Sequence, residues 1–338
     1  MKIDRHTRTA FRFIVKLRTS ARLRALPMLA RIVLATLILS SAAALAQNVS
    51  QEPAGNQTEK NLEQSDPQAD AVLLKTLSLL VNGPAFDAKV RQTVWATGRE
   101  VVGVGTYLQA GGGSGAYNLQ VTMHDGDGKH RLQQISDGIL AWTRTEIAGQ
   151  VSLRRVDVGR LEEWVGDASH GNISPRLTVG AWAEMLSTIR SHYALRVHSG
   201  HLKEEPVWII SGTLRPSVRQ QTLDDNQRES WPMLYPTRVM VALQRNQDET
   251  GFGQLLPIRI EYWSDPITSA DASLSDKRQG RMITLFELYS IRQITSPALG
   301  RFRFDNLEAE VNFVEDTDRY VRIYGLELTQ GQRQLLRR

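Results

Sequence analysis

The chain has 338 residues, no cysteine and a formal net charge of +5 at pH 7. Without cysteine it has neither disulfides nor a lipobox cysteine to carry a lipid. The first 31 residues hold nine of the 41 Lys and Arg but one of the 36 Asp and Glu, which leaves 32 basic and 35 acidic residues in the rest. The remaining chain is thus slightly acidic, and its composition argues against nucleic-acid binding.

The N-terminus has the features of an export signal. A basic leader is followed by the apolar stretch "IVLATLILSSAAALA" and by the small-residue site Ala44-Leu45-Ala46 before Gln47. This order predicts a secretory signal peptide over residues 1–46 and a soluble, periplasmic mature protein. An uncleaved membrane anchor is the alternative, but the apolar run is shorter than the ~20 residues that span a bilayer.

Composition divides the remaining chain into three parts. Residues 47–68 are polar and contain Pro, Gly, Gln and Asn, which predicts a disordered linker. Residues 69–330 are long enough for one large β-rich domain. Residues 331–338 end in bases and are predicted to form a flexible tail that could make peripheral contact with an anionic membrane surface.

The predicted domain opens with one helix, followed by strands. A helix is predicted over 69–81, where apolar residues recur at a helical period until Gly83-Pro84 ends it. The segments "AKVRQTVWA", "VVGVGTYLQ" and "AYNLQVTMH" then alternate with the period of two that is typical of strands. Gly103 and Gly105 lie on one face of the second of these strands and predict a bend or a close approach by other chain.

A hairpin turn and further strands continue this antiparallel meander. The "DGDG" segment predicts a tight turn, and strands are predicted over 132–136, 139–145 and 151–158. A helix is predicted over 177–193, followed by the strands "VWIISGTL", "RVMVALQ", "LPIRIEYW", "MITLFELYSI" and "YVRIYGLEL". The polar segment 215–237, with Trp231 and Tyr235, is predicted to be a long loop acting as a flap or insertion.

About ten antiparallel strands with two helices define the predicted fold class. It is mainly β (α+β), because one sheet of that size needs helices to cover its apolar face. We expect a curled antiparallel sheet that forms an unclosed β-barrel, with a helical lid across its mouth. The space between sheet and helices would then be a natural site for an apolar ligand.

One hairpin resembles a known family. The segment "ISDGILAW" resembles the "v-S-D-G-k-x-L-W" hairpin of the periplasmic lipoprotein carrier LolA and its relatives. The residues in the matching places are Ser136, Asp137, Gly138, Leu140 and Trp142. In chain order, "FDAKVRQTV", "GVGTYLQ", "LPIRIEYW" and "LYSIRQITSPALGRFRF" resemble the family's first strand, its glycine-bearing second strand, its "P-x-x-I" strand and its late "F-x-F" segment. The resemblance covers most of residues 69–315.

The resemblance implies a LolA-like unclosed barrel that carries acyl chains and performs no catalysis. Two features depart from the family pattern. The carriers have an arginine at the head of the third strand, whereas here that strand starts at Tyr117 and the next arginine is Arg131. The 215–237 segment is an addition. The inference carried over is therefore binding of a lipid, a lipoprotein acyl chain or another apolar ligand, and not lipoprotein transfer itself.

The predicted ligand-binding residues come from two hairpins and the second helix. They are Tyr117, Leu119, Val121, Met123, Leu140, Trp142, Trp182, Met185 and Ile189. The alternative is that these side chains fill an ordinary core, because apolar faces are usually core. An envelope protein partner is the second functional hypothesis, with the protein acting as an interaction or sensor module, and a secreted hydrolase is the third.

No segment predicts a catalytic residue, metal ligand or cofactor. His192, His198 and His201 precede Glu204 and Glu205, but their spacing is not that of a zinc motif, and a helix end followed by a polar loop is expected there. The "DGDG" turn lacks the later ligands of a calcium loop. The "GGGSG" turn has neither the order of a nucleophile elbow nor the lysine of a phosphate loop.

Overall fold

The structure, a computed structural model, describes residues 63–96, 99–126, 128–168, 177–266, 280–306 and 311–336. The predicted signal peptide, residues 1–46, and the first part of the predicted linker, residues 47–62, lie outside these described residues. In the described residues no helix combines the length and the apolar character needed to cross a bilayer.

Twelve strands and six α-helices are present in the described residues. The strands are β1 (Phe86–Ala96), β2 (Arg99–Gln109), β3 (Ala116–His124), β4 (Lys129–Asp137), β5 (Leu140–Ile147), β6 (Gln150–Asp157), β7 (Tyr193–Leu202), β8 (Glu205–Leu214), β9 (Arg238–Gln244), β10 (Pro257–Trp263), β11 (Met282–Gln293) and β12 (Phe313–Glu315). The helices are α1 (Pro67–Asn82), α2 (Val158–Ala168), α3 (Ala181–His192), α4 (Pro216–Asp225), α5 (Thr317–Ile323) and α6 (Gln330–Leu335), with a 3-10 turn at Leu299–Phe302.

All twelve strands belong to one sheet. Their order is β12-β6-β5-β4-β3-β2-β1-β11-β10-β9-β8-β7, so β12 and β7 form its two edges and the sheet is not closed. Every neighbouring pair is antiparallel except β12 and β6, which run parallel. The predicted fold class, a mainly antiparallel unclosed sheet with helices against it, is confirmed by this order.

The sequence explains why α1 forms and where it ends. The Asp66 carboxylate accepts a hydrogen bond from the backbone N–H of Gln68 at 3.0 Å, and Pro67 occupies the first turn, where a missing N–H has no cost. Leu73, Leu77 and Leu80 are buried along one face of the helix. The Gly83 N–H closes the last turn on the Leu79 carbonyl.

Helices α1 and α3 pack against each other and against the main apolar core. Asp70 of α1 accepts two hydrogen bonds from the Arg190 guanidinium of α3, at 2.7 and 3.0 Å. From α3, Trp182, Leu186 and Ile189 enter the core that the inner sheet face supplies. These contacts place α3 across the sheet as the sequence predicts for a covering helix.

Two segments form a different element from the one predicted. The segment "YVRIYGLEL", predicted to be a strand, begins inside helix α5, because Tyr320 and Val321 pack with Leu161 and Trp164 of α2 in a second apolar core. The polar loop that was expected after His192 is strand β7, paired along its length with β8. The described residues form twelve strands and six α-helices, whereas about ten strands and two helices were predicted.

The remaining differences concern the 215–237 segment and the predicted boundaries. Helix α4 forms there because Pro216 can start a helix, and it lies in what was predicted to be a loop. The Glu63 carboxylate accepts hydrogen bonds from the Ser217 N–H and hydroxyl, at 2.8 and 2.9 Å, so the end of the predicted linker is ordered. Helix α6 occupies part of the predicted flexible tail, and its Thr329–Gln332 capping box stabilises its start.

Candidate functional site

A cavity lies between the helix-covered face of the sheet and helix α3. It encloses about 1060 Å³ of space free of atoms, part of which is open to solvent. Its apolar lining comes from β1, β3, β4, β5, β6, β11, α3 and the residues before α3, and the residues are Val90, Tyr117, Leu119, Val121, Leu132, Ala141, Val156, Val179, Ala181, Trp182, Met185 and Phe286.

The strand register explains how the polarity of the cavity lining changes from β3 to β6. Leu119 of β3 lies opposite Gln134 of β4, Gln134 lies opposite Thr143 of β5, and Thr143 lies opposite Arg154 of β6. Because directly paired residues share one face of a sheet, these four side chains form a row on the cavity wall. The wall therefore changes from aliphatic at β3 to hydroxyl at β5 and guanidinium at β6.

The start of α3 is fixed to the sheet by one hydrogen bond and a close contact, and a second hydrogen bond closes its first turn. The Ala181 N–H donates to the Gln134 side-chain oxygen at 3.0 Å, and the Gly180 N–H donates to the Glu184 carboxylate at 2.6 Å. Gly180 has a φ of 77°, and a Cβ there would lie 1.7 Å from the Tyr117 hydroxyl oxygen. A residue with a side chain would therefore strain the backbone and clash with β3.

A buried carboxylate marks the polar side of the cavity. Glu184 of α3 accepts hydrogen bonds from the Tyr320 hydroxyl at 2.8 Å and from Arg319 at 3.2 Å. Both partners lie on α5, more than 130 residues further along the chain. Glu184 thus joins the start of α3 to α5 on the side of the cavity that is away from β1.

Burial determines the protonation behaviour of this cluster. It raises the pKa of Glu184 above its usual value, and the nearby Arg319 guanidinium and the Tyr320 hydrogen bond only partly oppose that rise. Burial also raises the pKa of Tyr320, and the neighbouring Glu184 carboxylate raises it further. Both groups are therefore held toward their neutral forms.

Two arginines and two acids surround the polar side. Arg319 lies 3.2 Å from Glu184 and 3.3 Å from Asp316, whereas Arg154 lies 3.7 Å from Asp316. The Arg319 side chain is 14% exposed and that of Arg154 is 37% exposed. Arg319 is therefore the buried structural partner of both acids, and Arg154 is the more accessible cation.

The structure places the nine predicted ligand-binding residues in three groups. Tyr117, Leu119, Val121, Trp182 and Met185 line the cavity. Met123 and Ile189 are buried in the same apolar core but are not part of its lining. Leu140 and Trp142 are outside it as well, and for these two the prediction of a place on the cavity wall is wrong.

Ala141 and Thr143 of β5 face the cavity. Trp142 lies between them in the chain and therefore faces the opposite side of the sheet. Its ring stacks on Phe304 at 4.8 Å between ring centres and meets the edge of Phe313 at 5.3 Å. Both faces of β5 are thus covered, so an alternating pattern does not show which face borders the cavity.

The "SDG" motif of the same hairpin has a structural role. The Asp137 carboxylate accepts hydrogen bonds from the N–H groups of Ile139 and Leu140, both at 2.8 Å. The Ser136 hydroxyl accepts one from Gly138, whose φ is 92°. These residues shape the turn between β4 and β5 and hold no ligand group in the cavity.

Sequence reasoning missed the polar half of the lining. Tyr320 begins the segment that was predicted as a strand, and Asp316 and Arg319 lie just before it, where no element was predicted. Arg154 and Thr143 are each followed by an arginine in the sequence, and Glu184 is outside the apolar stripe of the second predicted helix, so none of the three residues was distinguished by its pattern.

The three histidines do not form a cluster with the acids. His192 ends α3, and His198 and His201 are spaced along β7. Among the described residues no group of three or more His, Cys, Asp or Glu could hold a metal ion.

The chain was compared with known proteins. No protein-family model matches it, and no curated protein matches it. Among solved structures, it is similar to a chain of the MucA/MucB complex of Pseudomonas aeruginosa, with 15% sequence identity and a TM-score of 0.35, over 73% of this chain and 63% of that one. This chain thus spans less than two thirds of that relative's length.

Two further similarities involve proteins that are matched over almost their whole length. A LolA superfamily protein from Nitrosomonas europaea has 11% identity and a TM-score of 0.28, over 71% of this chain and 99% of that one. The lipoprotein LppX from Mycobacterium tuberculosis has 13% identity and a TM-score of 0.31, over 69% and 100%. These similarities concern the fold, which is itself established by the strand order and register described above.

Proposed function

We propose that the protein is an exported, periplasmic binding protein that holds a lipid or another apolar ligand and acts as a carrier or chaperone without catalysis. The cavity between the sheet and α3 carries this proposal. Its apolar lining removes hydrocarbon from water, and each buried methylene contributes ~0.8 kcal/mol. The export signal in the sequence and the LolA-like architecture support a role in the cell envelope.

The first test is whether the exported protein carries lipid. Protein expressed from the full-length gene and purified after export is expected to show co-bound lipid in native mass spectrometry. The change Leu119→Asp places a charge on the apolar wall, where it is costly, and is expected to abolish that lipid. The matched control is Gln120→Asp, since Gln120 is the adjacent exposed residue of β3, and it is expected to retain lipid.

A second variant guards against misfolding of the first. Met185→Trp adds volume from α3 into the cavity while Met185 itself is only partly buried. It is expected to keep the circular dichroism spectrum of the unmodified protein and to lose lipid. A folded protein that never carries lipid, or a Met185→Trp variant that carries as much as the unmodified protein, contradicts the proposal.

An envelope protein interaction is the second candidate function, and an observation on the opposite sheet face supports it. Phe313 of the edge strand β12 is 42% exposed beside the Trp142–Phe304 stack. Trp231 of the 215–237 segment, in contrast, is half-buried and packs against the main core. Exposed apolar groups next to a sheet edge suit a protein partner.

This candidate is tested by Phe313→Lys, which places a charge on the exposed patch and changes no residue of the cavity lining. If the protein acts by partner binding, cross-linking in intact envelopes is expected to capture a defined protein with the unmodified chain and to lose it with Phe313→Lys. Retained capture by the variant contradicts the assignment to this face. Thr122→Lys, on β3 away from β12, serves as the control for added charge.

A further inference from the structure

Two rows of residues on the cavity wall change from apolar to polar in the same direction across the sheet. The row Leu119, Gln134, Thr143 and Arg154 crosses four neighbouring strands on one face. A second row, from Val121 through Leu132 to Thr145, changes from aliphatic to hydroxyl in the same direction. A third row, from Tyr117 through Ser136 to Ala141 and Val156, is apolar at β5 and β6. The polar groups on that side therefore belong to the first two rows, and a ligand with one polar end matches those two rows.

Arg154 is the group on that side that remains able to bind a ligand. Its guanidinium carries five donors, and its nearest acid, Asp316, is 3.7 Å away, beyond hydrogen-bond distance. Asp316 is approached more closely by Arg319, at 3.3 Å. Arg154 is therefore held near the cavity by attraction to Asp316, and no acid in the described part of the chain lies within hydrogen-bond distance of its guanidinium.

Trp182 provides a second unused donor on the cavity lining. The residue is 1% exposed, and its indole N–H has no acceptor among the described residues. A buried donor without a partner costs free energy, so an acceptor supplied from the cavity would stabilise the bound state. The Trp182 ring lies 6.4 Å from that of Phe286, so this donor is on the apolar side of the cavity. A carboxylate or phosphate ester has only acceptors at neutral pH and suits the Arg154 guanidinium.

We propose that the cavity takes an amphiphile with an anionic head, whose carboxylate or phosphate lies beside Arg154 and whose hydrocarbon chain lies along the wall formed by Leu119, Val121 and Phe286. This inference rests on the proposed function and adds the chemical class and the direction of the ligand. The hydroxyls of Thr143 and Thr145 lie next to the head in this arrangement, because both residues line the β5 wall.

The test compares a charged and a neutral ligand of equal chain length. The probes are laurate and lauroylglycerol, with inorganic phosphate as an anion that has no chain. Isothermal titration uses protein expressed from the full-length gene, purified after export and stripped of lipid. Laurate is expected to bind about tenfold more tightly than lauroylglycerol, which is the order of one charge-assisted hydrogen bond. Phosphate is expected to show no binding at the laurate concentration used.

Arg154→Gln is expected to remove the preference for laurate and to leave lauroylglycerol affinity unchanged. Arg154→Lys, which keeps the charge but loses the planar fork, is expected to restore most of the preference and also checks that the site tolerates substitution. Arg155→Gln is the matched control, since Arg155 is the next residue of β6 and pairs with Glu315 at 2.7 Å and with the Phe313 ring outside the cavity.

The outcomes separate this inference from the function on which it rests. If laurate and lauroylglycerol bind equally, or if Arg154→Gln keeps the preference, the anionic head is not at Arg154 and the inference is overturned while apolar binding stands. If phosphate alone binds as tightly as laurate, the site takes a free anion and the amphiphile is overturned. If neither chain-bearing probe binds and Leu119→Asp changes nothing, the proposed function fails as well.

Discussion

At the scale of single residues, Glu184 determines how the covering helix meets the rest of the chain. Its carboxylate receives the Gly180 N–H, the Tyr320 hydroxyl and the Arg319 guanidinium. Burial raises its pKa, so the folded protein binds this proton more tightly than the unfolded chain does. The stability contributed by the protonated form is present below the unfolded pKa, near 4.5, and is lost as pH rises through the folded value.

The variant Glu184→Gln tests whether the stability contributed by Glu184 falls as pH rises. The amide stays neutral at every pH, so the variant lacks the titration. The melting temperature of the unmodified protein relative to Glu184→Gln is expected to be highest at pH 4 and to fall steadily toward pH 7. Glu100→Gln, an exposed residue of β2, is expected to show no such trend. A difference that grows with pH would contradict a raised pKa for Glu184.

At the scale of elements, the pairing of β2 with β3 depends on the absence of a side chain. A Cβ on Gly105 would lie 1.7 Å from the Gln120 carbonyl oxygen of β3. The glycines of this strand predicted a close approach by other chain, and the structure shows that the neighbouring strand makes it. Tyr107 of β2 is paired with Leu119 of β3, and Leu119 is part of the cavity wall. A shift of either strand would therefore move that wall.

Gly105→Ala is therefore expected to destabilise the fold by about 1–3 kcal/mol, which is the usual cost of forcing extra volume into packed structure. Denaturant unfolding followed by tryptophan fluorescence measures this change. Gly166→Ala in α2 is the control, because no atom lies within 4 Å of a Cβ at that position. An alanine in a helix is expected to be neutral or slightly stabilising there. Equal stability of the Gly105→Ala variant would show that β2 and β3 can move apart freely.

Strands β3 and β5 and helix α5 show which parts of the fold and the site could be predicted from the sequence and which could not. The alternation in β3 predicted Tyr117, Leu119 and Val121 on one wall, since only one face of that strand is apolar. In β5, Trp142 was assigned to the wrong face because Phe304 and Phe313 cover the outer side too. The segment that contains α5 has β-branched and aromatic residues that favour a strand, and packing against α2 overrides that preference.

At the scale of the whole molecule, the sheet is long and unclosed, and its two edges differ in how they are covered. Edge strand β7 is partly covered by residues 64–66, since the Asp66 N–H donates to the Leu195 carbonyl at 2.8 Å. The opposite edge is the three-residue strand β12, parallel to β6. The architecture followed from strand count and covering helices, whereas the parallel edge could not be predicted because it joins residues about 160 apart in sequence.

That parallel edge strand has a consequence for how the protein is assembled. Synthesis proceeds from the N-terminus, so the six-strand meander and α3 are made long before residues 313–320. Until those last residues arrive and pair with β6, Glu184 has neither Arg319 nor Tyr320 beside it. The apolar side of the cavity is thus complete in sequence before its polar side. A chain that ends before residue 313 is expected to leave the polar side of the cavity open to water.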